Sequence, residues 1–272
     1  MCSLITNNNK QNQQMTTNNQ LTIKGFFHRD DVKSKFNELM GNRSAQFITS
    51  VLSVVNNNSY LKNASPESVF SAALMAATLD LPVNPNLGFA YIIPYGQQAQ
   101  FQVGYKGLVQ LALRSGQFKT ISVTPVYEGQ IKQQNPLTGF EFDFNNKQSD
   151  KVIGYAAYFS LINGFEKTMY MTIEEVTAHG KRFSKMFNSG VWKTDFDAMA
   201  QKTVLKLLLS KYAPLSIEMQ KAVIADQAVI KDAETMDVEY VDAGQDLTEA
   251  KEKAAQVSVD RINKLKSATN ES

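Results

Sequence analysis

Tyr105, Lys106, Arg114 and Lys119 fall inside the stretch Ala99 to Lys119, AQFQVGYKGLVQLALRSGQFK, which holds no Asp or Glu. Ammonium and guanidinium groups neutralise phosphates without regard to sequence, and aromatic rings stack on bases. Positive charge beside aromatic surface therefore predicts a site for single-stranded nucleic acid. Strict alternation through Ala99, Gln100, Phe101, Gln102 and Val103 reads as a half-buried strand. On that reading Gln100 and Gln102 turn away from the apolar face, toward solvent, a ligand or another subunit. Gly104 and Gly107 then allow a tight entry into a helix ending near Gly116.

A second basic cluster comprises Lys181, Arg182, Lys185, Lys193, Lys202, Lys206 and Lys211, interleaved with Phe183, Phe187 and the lone Trp192. On a helix Lys202 and Lys206 share a face, whereas Lys211 falls away from both. Such a pair by itself reads as a solvated helical face. A second cluster beside an acid-free segment shifts the balance toward phosphate binding. Tyr95, Tyr105 and Trp192 are candidate stacking rings, although core or rim packing is the commoner fate of such residues; Tyr105 is favoured among the three because it adjoins Lys106.

Signals for catalysis are sparse. The sequence contains no Walker A glycine run, no Gly-x-Ser-x-Gly elbow and no His-Glu-x-x-His motif, which argues against an ATP-driven recombinase. His28 and His179 stand without a ligand pattern, so no catalytic residue and no metal ligand are assigned. Asp195 and Asp197 are the carboxylates that a magnesium-dependent nuclease would use. They also lie at an expected helix N-terminus, where acids are stabilising, and capping is the preferred reading.

Composition bounds the rest. The 272 residues, 43% hydrophobic, suffice for one substantial core. No window approaches the run of about 18 apolar residues that a spanning helix needs, and the N-terminus lacks a secretory apolar core, so a cytoplasmic protein without membrane contact is expected. Cys2 is the single cysteine, which excludes an internal disulfide. Residues 1–225 carry 22 Lys and Arg against 15 Asp and Glu, and residues 226–272 carry 6 against 11. A basic body thus precedes an acidic tail, which either keeps the chain soluble or shields the basic surface and docks a partner. The expected organisation is a disordered Asn- and Gln-rich segment over 1–20, a folded domain over 21–225, and a flexible tail over 226–272.

Within the domain, Asp30 to Met40 and Arg43 to Val55 read as amphipathic helices. Ser65 caps a third, with Pro66 at its first position and Glu67 in its first turn. Gly88 to Ile93 and Ala99 to Val103 form a hairpin through Pro94, Tyr95, Gly96 and Gln97, followed by a helix from Tyr105. Ile121 to Tyr127 is a strand, and Lys151 to Ile162 pairs with Phe165 to Thr172 across Asn163-Gly164. The 130–150 region reads as a long excursion. Thr172 and Glu175 have capping-box spacing, and Thr194 with Asp197 repeat a similar start. Ser216 opens a last helix that fades near Val229. The sum is an α+β fold, a small antiparallel sheet with a hairpin-helix core flanked by helices.

Four segments in order, SAALMAATLDLPVNPNLGFAYIIPY (Ser71 to Tyr95), AQFQVGYKGLVQLALRSGQFKTI (Ala99 to Ile121), VIGYAAYFSLINGFEKTMYMT (Val152 to Thr172) and WKTDFDAMAQKTVLKLLLSKYAPLS (Trp192 to Ser216), resemble the RecT family of phage single-strand annealing proteins. The resemblance spans Leu21 to Ala225. It implies an ATP-independent protein that coats single-stranded DNA, pairs it with its complement and holds the duplex in a homo-oligomeric ring or filament. It also implies a partner 5′ to 3′ exonuclease and no required cofactor, magnesium entering only with the DNA; a host single-strand-binding protein is a candidate partner for the acidic tail. The hairpin-helix unit with Tyr105, Lys106, Arg114 and Lys119 corresponds to one wall of the DNA groove, and Lys202 and Lys206 to the other. Arginine is expected at the position of Lys206; lysine keeps the charge without the bidentate fork. A passive single-strand protector is the remaining alternative to annealer and nuclease.

Overall fold

The computed structural model describes residues 22–135, 137–232 and 236–240. The expected disordered segment at 1–20 and the tail beyond 240 lie outside them. Short helix α1 (Ile23–Phe27) leads into α2 (Asp30–Met40) and α3 (Ser44–Asn56). Their apolar faces bring together Phe26, Phe27, Phe36 and Phe47 with Phe70, at ring-centroid distances such as 5.7 Å for the edge-on Phe36–Phe70 pair. Burying each such ring is worth about 1.5–3 kcal/mol.

Phe70 belongs to α4 (Pro66–Thr78), whose start follows the sequence signals: Ser65 accepts from the Ser68 amide at 3.2 Å, Pro66 sits in the first turn and Glu67 faces the positive end of the dipole. Val69, Ala72, Ala73, Met75 and Ala76 are fully buried. A helix so apolar around its girth belongs in the middle of a fold. It packs on β2 (Gln98–Val103), where the Ala99 amide donates to Ser68 Oγ at 2.9 Å.

β2 pairs antiparallel with β1 (Ala90–Tyr95). The turn is tighter than expected. Pro94 and Tyr95 remain in the ladder, opposite Ala99 and Gln98, and only Gly96 and Gln97 connect the strands. Pro94 is tolerated because the ladder continues beyond β2, not beyond β1: the Phe101 amide donates to Ala228 O at 3.1 Å, and Phe101 O accepts from the Gln227 amide at 3.0 Å.

Helix α5 (Tyr105–Arg114) follows immediately, and here glycine is required. A Cβ on Gly104 would lie 2.1 Å from Gly88 O, and one on Gly107 2.2 Å from Phe89 O. The first turn of α5 can press on the 88–89 backbone only because both side chains are missing.

The main sheet has the order β3 (Phe118–Tyr127), β6 (Val152–Leu161), β7 (Glu166–Thr172), all antiparallel. The 130–150 region, expected as an irregular excursion, carries a further hairpin, β4 (Ile131–Asn135) with β5 (Gly139–Phe142). Phe140, Phe142 and Phe144 stack in sequence and cover Tyr170 of β7, which accounts for phenylalanines scattered through a polar stretch.

Thr172 and Glu175 form the expected capping box of α6 (Ile173–Phe183). A one-turn helix α7 (Val191–Thr194) precedes α8 (Phe196–Tyr212), which packs across the sheet against β3, β6 and β7. The N-cap of α8 is Asp195, not Thr194: Asp195 Oδ1 accepts from the Ala198 amide at 3.1 Å, while the Thr194 hydroxyl folds back onto Val191 O. Ser216 caps α9 (Ile217–Ala225) as expected. That helix stops at Ala225 instead of fading near Val229. The following residues bridge to Phe101 and continue into β8 (Val229–Asp232), which pairs with β9 (Asp237–Glu239). The architecture is α+β with small antiparallel sheets and helices around them. No described helix is long and apolar enough to cross a membrane.

Candidate nucleic-acid interface

Lys106 and Lys119, near the two ends of the α5 unit, are exposed; Tyr105 is half-buried, and that burial raises its phenol pKa. Arg114 is engaged within the fold. Its guanidinium donates to Leu79 O at 2.6 Å and Asp80 O at 2.7 Å, the carbonyls left open where α4 ends. A cation at a helix C-terminus satisfies orphan carbonyls and complements the dipole. Arg114 therefore fastens α5 to α4, which its sequence neighbourhood did not reveal.

Gln100 is corrected more sharply. It is 1% exposed and its amide nitrogen has no partner among the described residues. Alternation suggested an outward side chain, but β2 is packed by α4, α9 and β8, so both of its faces lie inside. Gln102 and Tyr95 are half-buried.

In the second cluster Lys181, Arg182, Lys185, Lys193 and Lys211 are exposed. Lys181 and Arg182 occupy the last turn of α6, where the dipole favours them. They also approach rings, Arg182 over Phe183 at 5.4 Å and Lys181 over Phe187 at 6.0 Å. Lys185 lies 5.7 Å from the ring of Tyr95, at the tip of the first hairpin. The second cluster thus reaches the tip of the first hairpin, just outside the basic stretch Ala99 to Lys119.

Lys202 and Lys206 are not on a solvated face. The Lys202 ammonium is 3.1 Å from Asp226 Oδ1, the Lys206 ammonium 2.5 Å from Asp226 Oδ2, and Oδ1 also accepts from the Val103 amide at 3.1 Å. The side chains of Lys202, Lys206 and Asp226 are 10%, 25% and 1% exposed. Burial pushes the Asp226 carboxyl up, but the charges of Lys202 and Lys206 and their hydrogen bonds outweigh it, so its pKa lies below the ordinary carboxylate value. Burial pulls Lys202 down, Asp226 offsets part of that, and Lys206 adds to it. The carboxylate clamps the end of β2, just before α5, onto α8. Asp226 is the functional residue that sequence reasoning missed, having been assigned to the flexible tail. A lone Asp after a helix carries no local sign of partners 20 to 123 positions away.

Beside this triad opens a cavity of about 340 Å³, lined also by His179, Phe183 and Trp192. Trp192 is 6% exposed, packed against Phe187 at 5.3 Å and Phe196 at 5.7 Å, so it is not a surface stacking platform. The His179 pKa is lowered to about 4 by burial first, then by the charges of Lys206, Arg182 and Lys211, which leaves the ring neutral at pH 7.

The carboxylates weighed for a nuclease serve the fold. Asp195 caps α8, and Asp197 accepts a short hydrogen bond from the Tyr155 hydroxyl. Burial, then that bond, raises the Tyr155 pKa. Among the described residues no group of three His, Cys, Asp or Glu side chains could hold a metal ion.

Comparison with known proteins places the chain in a family. The chain is 54% identical over 206 residues to the uncharacterized protein YqaK of Bacillus subtilis (strain 168), covering 75% of this chain and 72% of that one. It is 32% identical over 183 residues to protein RecT of Escherichia coli (strain K12), covering 61% of this chain and 65% of the relative, just under two thirds of its length. The family model described as the RecT family matches residues 45–240, from the start of α3 through β9, Asp226 and its lysines included. The chain belongs to the RecT family.

Proposed function

We propose that this protein binds single-stranded DNA along its two basic segments and anneals it to its complement in phage DNA recombination, without ATP. Family membership supports single-strand annealing in recombination. The observation that carries the reading is the clamp at Asp226, which ties the Val103 end of the first basic segment to Lys202 and Lys206 of the second, on a body that exposes Lys106, Lys119, Lys181, Arg182, Lys193 and Lys211. Exposed cations neutralise the mutual repulsion of two phosphate backbones. Nothing in that chemistry reads base edges, so Watson-Crick pairing itself tests the match.

One subunit offers few phosphate contacts, and a homo-oligomeric ring or filament adds them through effective concentration. A 5′ to 3′ exonuclease supplies the single strand, a host single-strand-binding protein is a further partner, and the work takes place in the cytoplasm. No cofactor is required, and magnesium enters only as the counterion of DNA.

The test is the pairing of two complementary labelled oligonucleotides without ATP. Acceleration by the protein is expected. Binding that slows pairing would make the protein a passive protector, and cleavage of labelled DNA with magnesium, abolished by Asp197→Asn, would make it a nuclease.

A further inference from the structure

The cavity beside the Lys202–Asp226–Lys206 triad has a surplus of hydrogen-bond donors. Each ammonium carries three N–H groups and gives one to Asp226, whose oxygens already receive Val103, Lys202 and Lys206. Trp192, more than nine-tenths buried, lines the same cavity and its indole N–H has no partner among the described residues. Buried donors are ordinarily satisfied, and an orphan in a cavity wall marks a missing acceptor. Two ammonium groups against one carboxylate leave the triad with one positive charge. The remaining wall mixes apolar side chains, among them Phe183, Val223 and Ile224, with polar ones, among them Thr203 and Gln227. An occupant that answers all three features carries an anion, an acceptor and a flat apolar body. The volume of about 340 Å³ lies at the small end of ligand pockets, which suits a single nucleotide and excludes an oligomer.

We propose that this cavity captures one nucleotide, its phosphate on Lys206 at the mouth and its base inside, accepting from the Trp192 indole N–H. Lys206 is the more exposed of the two lysines, which puts the charge at the entrance and the rings deeper. His179, neutral at pH 7, adds no charge to the pocket, while exposed Arg182 and Lys211 give the approach a positive field. The nucleotide comes either as a free nucleoside monophosphate or as one unstacked base of a bound strand. Its chemical class rests on the DNA-binding reading above.

Trp192 is the sole tryptophan of the chain, so its emission reports on this cavity alone. The full-length protein is titrated with thymidine 5′-monophosphate, with inorganic phosphate, with thymidine and with oligothymidine, exciting at the red edge of the indole band. Saturable quenching by the monophosphate is expected, with affinity at least tenfold weaker for phosphate or thymidine alone. Lys206→Gln, which leaves the buried Lys202–Asp226 pair intact, should weaken the monophosphate at least tenfold, and Lys206→Arg should restore it. Oligothymidine that quenches and is displaced by the monophosphate identifies the strand as the source. Oligothymidine that binds by anisotropy without quenching identifies free nucleotide. No saturable change with the monophosphate up to 10 mM, or equal affinity in Lys206→Gln, overturns the proposal. If Lys206→Gln does not fold, wild-type thermal stability decides, since a site ligand must raise it with concentration. Annealing that persists when the monophosphate fails to quench overturns the pocket and leaves the annealing reading standing.

Discussion

Replacing Asp226 by Asn tests whether one buried carboxylate holds the two basic segments together. The substitution keeps the shape and an acceptor for the Val103 amide, but it leaves the Lys202 and Lys206 ammonium groups with no counter-charge at 10% and 25% exposure. Removing one partner of a buried ion pair costs about 3–5 kcal/mol, a large share of the roughly 5–15 kcal/mol that holds a domain folded. With a urea m-value of about 3 kcal/mol/M, the midpoint should fall by about 1–2 M with m unchanged. Adding Lys202→Met removes the deeper ammonium and leaves Lys206 able to reach water, so the double variant should recover most of the loss. The acid limb carries the same signature. Because the folded Asp226 pKa is lowered, its contribution is present above the unfolded value near pH 3.8 and is lost as pH falls through the folded one. Asp226→Asn should lack that component. A loss below about 1 kcal/mol, or a double variant less stable than the single, would refute the clamp.

Other consequences follow from the same geometry. Arg114→Ala should cost about 1–2 kcal/mol, because two charge-assisted bonds to the end of α4 are lost from a partly exposed site, while the salt dependence of DNA binding stays as in the wild type. Thermal denaturation and a salt titration separate the two effects. His179 has a folded pKa of about 4 against an ordinary 6.5, so its contribution is fully present above pH 6.5 and is lost as pH falls toward 4. The upper bound is about 3 kcal/mol, which solvent screening of a partly exposed ring reduces to about 1–2. His179→Gln should flatten the stability profile over that range, and a variant as pH-sensitive as the wild type would count against the assignment.

The legibility of this fold in its sequence divides by distance along the chain. Ser65-Pro66, the Thr172–Glu175 capping box and Asn163-Gly164 act on neighbours within four residues, so composition and spacing suffice to find them. The resemblance to the annealing family was equally legible, because four long segments carried it. The internal contacts of Gln100, Arg114 and Lys202 were not legible, for one shared reason. Each side chain has its role decided by a segment far away: the packing around β2, the end of α4 some 35 positions earlier, and a carboxylate 24 positions later. Period-two alternation reports which residues share a face, not whether the second face is covered. A run of lysines likewise reports charge, not whether a buried acid has already neutralised it.

That last distinction has a measurable form. A phosphate contact releases counterions only if the cation is free to give up its own, and Lys202 and Lys206 are already paired with Asp226 while Arg114 is committed to carbonyl oxygens. The slope of log affinity against log salt is about 0.7 per phosphate neutralised on a single strand. Were all ten Lys and Arg of the two basic clusters to touch phosphate, the slope would be about 7 per subunit. Six stand exposed outside these commitments, Lys106, Lys119, Lys181, Arg182, Lys193 and Lys211, and together with Lys185 at the Tyr95 ring they limit it to about 5. Lys106→Ala with Lys119→Ala should lower it by about 1.4 more and weaken binding alike on any sequence. A slope of about 6.3, nine cations at about 0.7 each, measured per subunit at low occupancy, would mean that the triad opens when DNA arrives and frees Lys202 and Lys206 from Asp226.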